Sequence, residues 1–139
     1  MLYSKYCEYS IRALAYLGAN SQKKDYLLVK EISDNTNIPC AYLHKIFQDI
    51  ASNTNWIVSK KGRNGGVTMA IESKKIKMMD IINVCDGVQT IKRCIFGGEK
   101  ECKQHPTCKM YDNCSYILNE ITAFYEKMTL DVIAKMNPF

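Results

Sequence analysis

Residues Lys30 to Ile71 read K-E-I-S-D-N-T-N-I-P-C-A-Y-L-H-K-I-F-Q-D-I-A-S-N-T-N-W-I-V-S-K-K-G-R-N-G-G-V-T-M-A-I. Lys30 to Thr36 predicts a short helix with Ile32 turned inward. Asn35 to Pro39 predicts a turn, and Pro39 suits the first turn of the next helix, where a missing N–H costs nothing. Cys40 to Ser52 continues as that helix, with Leu43, Ile46, Phe47 and Ile50 on one face. Two short helices joined by a tight turn define a helix-turn-helix. After a polar break at Asn53 to Asn55, Ile57 to Ser59 and Val67 to Ile71 predict two strands, the second alternating at period two. Between the strands lies the basic, glycine-rich tip Lys60-Lys61-Gly62-Arg63-Asn64-Gly65-Gly66.

Working outward, Lys5 to Ala19 predicts a helix with Tyr6, Ser10, Ala13, Leu14 and Leu17 on one face. Leu27 to Val29 is a short apolar run that suits a strand, and Met78 to Cys85 suits a helix closed by Asp86-Gly87. Residues 88–115 have weak periodicity and read as a loop. Tyr116 to Lys127 returns to a helical pattern, with a stripe of Ile117, Ile121, Phe124 and Met128 flanked by Leu118 and Tyr125. So wide a stripe outside the compact module calls for a partner, and a second copy of the chain is expected there. The expected architecture is mainly α with a small β-hairpin wing. Residues 1–87 form the winged helix-turn-helix, 88–115 a cysteine-rich loop, and 116–139 a dimerisation helix and tail.

The net charge of +5 is unevenly placed. Residues 1–75 carry 11 Lys and Arg against 6 Asp and Glu, whereas residues 76–139 carry 8 of each sign. The excess positive charge therefore lies with the helix-turn-helix, where phosphates would be met. The glycine-rich tip lacks the P-loop order G-x-x-x-x-G-K-S/T and joins two strands rather than a strand to a helix. A DNA wing fits it better. On that assignment Cys40, Ala41, Tyr42, His44 and Lys45 face double-stranded DNA from the reading helix, and Lys60, Lys61, Arg63 and Asn64 meet it from the wing.

Of seven cysteines, Cys94, Cys102, Cys108 and Cys114 crowd into one stretch. Thiolates are soft ligands that select iron–sulfur clusters, zinc or copper(I), although neither the zinc-ribbon nor the ferredoxin spacings match. Cys7, Cys40 and Cys85 stand apart and read as structural or incidental. The only histidines are His44 and His105, and no nucleophile–base pairing stands out, so no enzyme is expected. The N-terminus lacks the pattern of a secretory signal and no apolar run is long enough to span a membrane, so a cytoplasmic protein is expected.

The order of these pieces resembles the Rrf family of bacterial winged-helix transcriptional regulators. The resemblance rests on Glu8 to Leu14 in the first helix, Ile38 to Leu43 opening the reading helix, Ser59 to Val67 in the wing, Asp80-Ile81-Ile82 with Asp86-Gly87, and Thr129-Leu130. It implies a homodimer that binds an operator and represses. Members that carry a cluster, IscR-like and NsrR-like, have three cysteines before the dimer helix, matched here by Cys94, Cys102 and Cys108. The resemblance thus implies an iron–sulfur cluster, 2Fe–2S or 4Fe–4S, that senses redox, nitric oxide or iron–sulfur status. In NsrR-like members an acidic residue of the first helix, given by the other subunit, completes the site, and Glu8 of the partner subunit takes that place here. In IscR-like members a histidine follows the last cysteine by three residues, where this chain has Tyr111. Cys114 is the alternative fourth ligand. A cluster-free repressor that senses oxidants through its thiols is the alternative function.

Overall fold

The computed structural model describes residues 2–21, 25–87 and 107–136. Cys94 and Cys102 lie outside these residues. Among the described residues the chain forms six α-helices and one two-stranded hairpin.

Helix α1, Lys5–Asn20, is the central strut. Ser4 caps its start, its Oγ accepting from the Cys7 N–H at 3.1 Å. Cys7, Ser10, Ile11, Ala13, Leu14, Ala15 and Leu17 are buried along it, so nearly every side but one meets protein. Helices α2 (Val29–Thr36) and α3 (Cys40–Asn53) pack on α1 and on each other. The turn between them is set by Asn37, whose φ of 54° is left-handed, a conformation that asparagine tolerates. The fully buried Ile38 then anchors the turn. Its carbonyl accepts from Ser33 Oγ at 2.6 Å, and the Thr36 carbonyl accepts from Arg12 of α1 at 2.6 Å. Pro39 stands one position earlier than the sequence suggests. It is the N-cap, with extended backbone, and its carbonyl accepts from Leu43 N–H at 3.1 Å.

Strands β1 (Ile57–Lys60) and β2 (Gly66–Met69) pair antiparallel, with Ile57 opposite Met69 and Lys60 opposite Gly66. The second strand ends at Met69, short of Ile71, although one more backbone bond, from Ala70 N–H to the Trp56 carbonyl at 2.8 Å, extends the hairpin beyond the Ile57–Met69 pair. Of the expected strand at Leu27 to Val29 only Leu27 pairs, with Val67, while Val29 already begins α2. A Cβ on Gly66 would overlap the Leu27 carbonyl, so glycine is required where this third segment closes on the wing.

Helix α4, Met78–Asp86, ends at Gly87 with φ 84°. Helix α5 spans Tyr111–Lys127, starting five residues before the expected Tyr116, so Cys114 belongs to the helix and not to a loop. The expected C-terminal tail holds a further helix, α6 (Leu130–Lys135). It folds back onto α1 and buries Leu130 and Ile133 in the common core. Two backbone bonds, Met78 N–H to the Met128 carbonyl and Leu130 N–H to the Ile76 carbonyl, both 2.8 Å, tie the end of α5 to the start of α4. No helix among the described residues is long and apolar enough to cross a membrane.

Candidate nucleic-acid interface and sensor cysteines

Helix α3 divides by burial as its periodicity requires. Leu43, Ile46, Phe47 and Ile50 are buried, whereas Cys40, Ala41, Tyr42, His44 and Lys45 are all exposed on its first turns. Polar and small side chains at the N-terminal end of a helix are what a major groove admits. The exposed face of α3 is joined by residues of α1 that the sequence did not single out. Tyr42, half exposed at 50%, meets Tyr9 of α1 edge-to-face, with ring centroids 5.7 Å apart and planes at 84°. Lys5 Nζ sits 4.9 Å from the Tyr9 ring centroid. Tyr9 thus borders α3, and Lys5 stands beside its ring. The spacing of Lys5 and Tyr9 by one helical turn was visible, but the contact of Tyr9 with α3 was not.

At the wing Lys60, Lys61, Arg63 and Asn64 are all exposed. Gly62 turns the tip with φ 103°, and its carbonyl accepts from Gly65 N–H at 3.0 Å. Lys60 Nζ lies 5.7 Å from the Tyr26 ring centroid, so this cation has an aromatic neighbour of its own.

Glu8, the expected acidic ligand, lies in the first turn of α1. Its carboxylate takes hydrogen bonds from Lys5 Nζ at 3.0 and 2.9 Å and stands 3.8 Å from Arg12. The bond to Glu8 holds the Lys5 ammonium above its ordinary pKa. Glu8 is therefore partly exposed, and it adjoins Tyr9, whose ring meets the reading helix.

Cys108 is half-buried at the foot of α5, and its carbonyl accepts from Tyr111 N–H at 3.1 Å. Cys114 is buried, 8% exposed, in the opening turns of the helix. Among the described residues no three His, Cys, Asp or Glu side chains converge as metal donors. What can be tested is the chemistry of the donor set. Cys108 is a free thiol outside the core, at the end of the segment that carries Cys94 and Cys102, and this fits an iron–sulfur ligand.

Two cysteines that read as incidental meet one another. Cys7 of α1 and Cys85 of α4 are neighbours where these two helices pack. The Cys85 thiol beside it, then burial, raise the Cys7 thiol well above its ordinary pKa, and the Cys7 thiol lowers that of Cys85.

A helix-turn-helix with an exposed reading face, followed by a basic hairpin, defines a winged-helix protein. The family model described as "Iron-dependent Transcriptional regulator", Rrf2, matches residues 3–136. The chain belongs to the Rrf2 family of transcriptional regulators. It is similar to the HTH-type transcriptional regulator NsrR of Oceanobacillus iheyensis, 25% identical over 135 residues, covering 94% of this chain and 88% of the relative. Protein aau3 of Rhizobium meliloti is also 25% identical, over 138 residues, covering 99% and 88%. Among solved structures, CymR, the global cysteine regulator of B. subtilis, superposes with a TM-score of 0.76 at 18% identity, covering 96% of this chain and 95% of that one. IscR of T. potens gives 0.70 at 20% identity, covering 96% and 85%. Both share the fold.

Proposed function

We propose that this regulator works as a homodimeric repressor whose operator binding responds to redox, nitric oxide or iron–sulfur status. Cys94, Cys102 and Cys108 would hold an iron–sulfur cluster, with Glu8 of the partner subunit as the fourth ligand. The observation that carries this is the packing of Tyr9 on Tyr42. It puts the turn of α1 that bears Glu8 against the reading helix, so a change in what holds Glu8 is felt where DNA is read. The cluster would supply the chemistry that oxygen or nitric oxide attacks. The chain's own residues set the response. The carboxylate is a harder, weaker donor to iron than a thiolate, so Glu8 would be the most labile of the four ligands. Once released, Glu8 has Lys5 and Arg12 at hand as counter-charges.

The exposed face of α3 and the wing would meet two half-sites about one helical turn apart. Pairing of two copies through α5 is supported by its apolar, solvent-facing Tyr116, Ile117 and Phe124. Protein purified without oxygen should be coloured and carry iron and sulfide. Cys108→Ser should abolish the chromophore. Glu8→Ala should weaken or alter it and change operator affinity, whereas Cys114→Ser should do the greater damage if Cys114 is the fourth ligand. An unchanged spectrum and unchanged affinity in Glu8→Ala would remove the cross-subunit ligand and leave the three-cysteine core. Colourless protein whose DNA binding depends on free thiols would instead support the cluster-free sensor.

A further inference from the structure

The Cys7–Cys85 contact has no part in the regulator outlined above. Cys7 is fully buried, Cys85 is half-buried in the last turn of α4, and the two side chains neighbour one another where α1 and α4 pack. The backbone is pinned on both sides of the pair. Ser4, three residues before Cys7, donates its N–H and its hydroxyl to the carboxylate of Asp86, next to Cys85, at 2.6 and 2.5 Å. Its Oγ also accepts from Cys7 N–H at 3.1 Å. The ends of the two helices are thus fixed against each other beside both cysteines. A disulfide needs an S–S bond of about 2.05 Å, and helix ends fixed in this way can present two neighbouring thiols for it.

We propose that Cys7 and Cys85 are an oxidisable dithiol, a modification site that closes to an intrachain α1–α4 disulfide on reaction with a hydroperoxide. Cys85 is the more exposed of the two residues. It attacks the O–O bond of the peroxide and gains one oxygen as a sulfenic acid, and the other oxygen leaves as water from hydrogen peroxide or as the alcohol from an alkyl hydroperoxide. The Cys7 sulfur then attacks the Cys85 sulfur. The S–S bond forms, the S–O bond breaks, and the hydroxyl leaves as water with the Cys7 proton. Two electrons pass from the sulfurs to the peroxide. A small thiol reverses the bond by exchange. The bond would lock α4 to the turn of α1 that holds α3 through the 2.8 Å hydrogen bond from Tyr6 Oη to Asp49.

The site stands independently of the cluster, and the test keeps the two apart. Full-length protein treated with hydrogen peroxide and digested with trypsin without reduction should yield peptide Tyr6–Arg12 joined to peptide Met78–Lys92. Dithiothreitol should separate them. The joined species should fall to background in Cys85→Ser and in Cys7→Ala, with circular dichroism confirming that each variant is folded. It should persist in Cys108→Ser, which removes the core of the proposed cluster. Exposed Cys40 reports the oxidant dose. If Cys40 is oxidised while Cys7 and Cys85 remain thiols, the dithiol site is refuted. It is equally refuted if Cys85 goes on to sulfinic acid or pairs with any cysteine other than Cys7.

Discussion

Helices α3 and α5 are both amphipathic, of 14 and 17 residues, and they use their apolar faces oppositely. α3 spends Leu43, Ile46, Phe47 and Ile50 on its own chain and turns small and polar side chains outward. α5 buries only Cys114 and Tyr125 among its residues and turns Tyr116 (67% exposed), Ile117 (45%) and Phe124 (54%) outward. A helix fixed by its own core can offer polar groups to a polar ligand. A helix that leaves aromatic and aliphatic side chains in water is built to meet protein. The stripe read from the sequence is also divided. Ile121 and Met128 pack against the chain's own core, and Ile117 and Phe124 do not.

The contrast breaks most visibly through stability. Leu43→Ala removes a fully buried side chain from α3 and should cost about 2–5 kcal/mol in urea unfolding. Phe124→Ala should change the unfolding free energy of the isolated subunit by no more than about 0.5 kcal/mol, as an exposed site does. If the two losses were equal, α5 would belong to the same core as α3. The contrast then sharpens through assembly. Phe124→Asp leaves the subunit folded but places a charge where a second copy should pack, and should give monomers in sedimentation. A mutant that stays dimeric would move the interface off α5. On the proposed dimeric reading of two half-sites, the same variant should lose operator affinity by roughly tenfold or more, since 1.4 kcal/mol of lost pairing already suffices for that factor.

How far the sequence reveals this molecule depends on whether a feature is local. The periodicity of α3 was legible to within one residue at its C-terminus, because four large apolar side chains mark one face. The wing was legible because its turn needs glycine at Gly62 and Gly66, both at positive φ. The five exposed residues of the reading face followed from the same period. α6 was not legible. Six residues are too few to show a period, and that helix exists because Leu130 and Ile133 find α1. The start of α5 was hidden by treating Cys114 as one of a run of loop thiols, when its place in the fold is a buried helical position. The meeting of Cys7 with Cys85 depends on how α4 returns to the start of α1, which no spacing encodes.

The smallest expected effect lies within the wing and tests whether its cations act alike. Each cation that neutralises a phosphate contributes about 0.9 to the slope of log K against log salt. Lys61 and Arg63 project from the exposed tip. Lys60 lies at the base of the turn, in the last position of β1, with its ammonium beside the Tyr26 ring. An ammonium already held by an aromatic face gains less from a phosphate and must give up part of that contact to reach one. Replacing Lys60, Lys61 and Arg63 together by Ala should weaken binding to all DNA sequences alike and flatten the salt dependence, whereas Cys40, Ala41 and His44 substitutions on α3 should alter the preference between sequences. Within the wing, Lys61→Ala or Arg63→Ala should each lower the slope by about 0.9, and Lys60→Ala by clearly less. In Tyr26→Leu the Lys60 share should rise towards that of its neighbours. Equal slopes for all three single variants, with or without Tyr26, would mean that the ring does not hold Lys60 when DNA is present, and that the wing binds as one undifferentiated patch of charge.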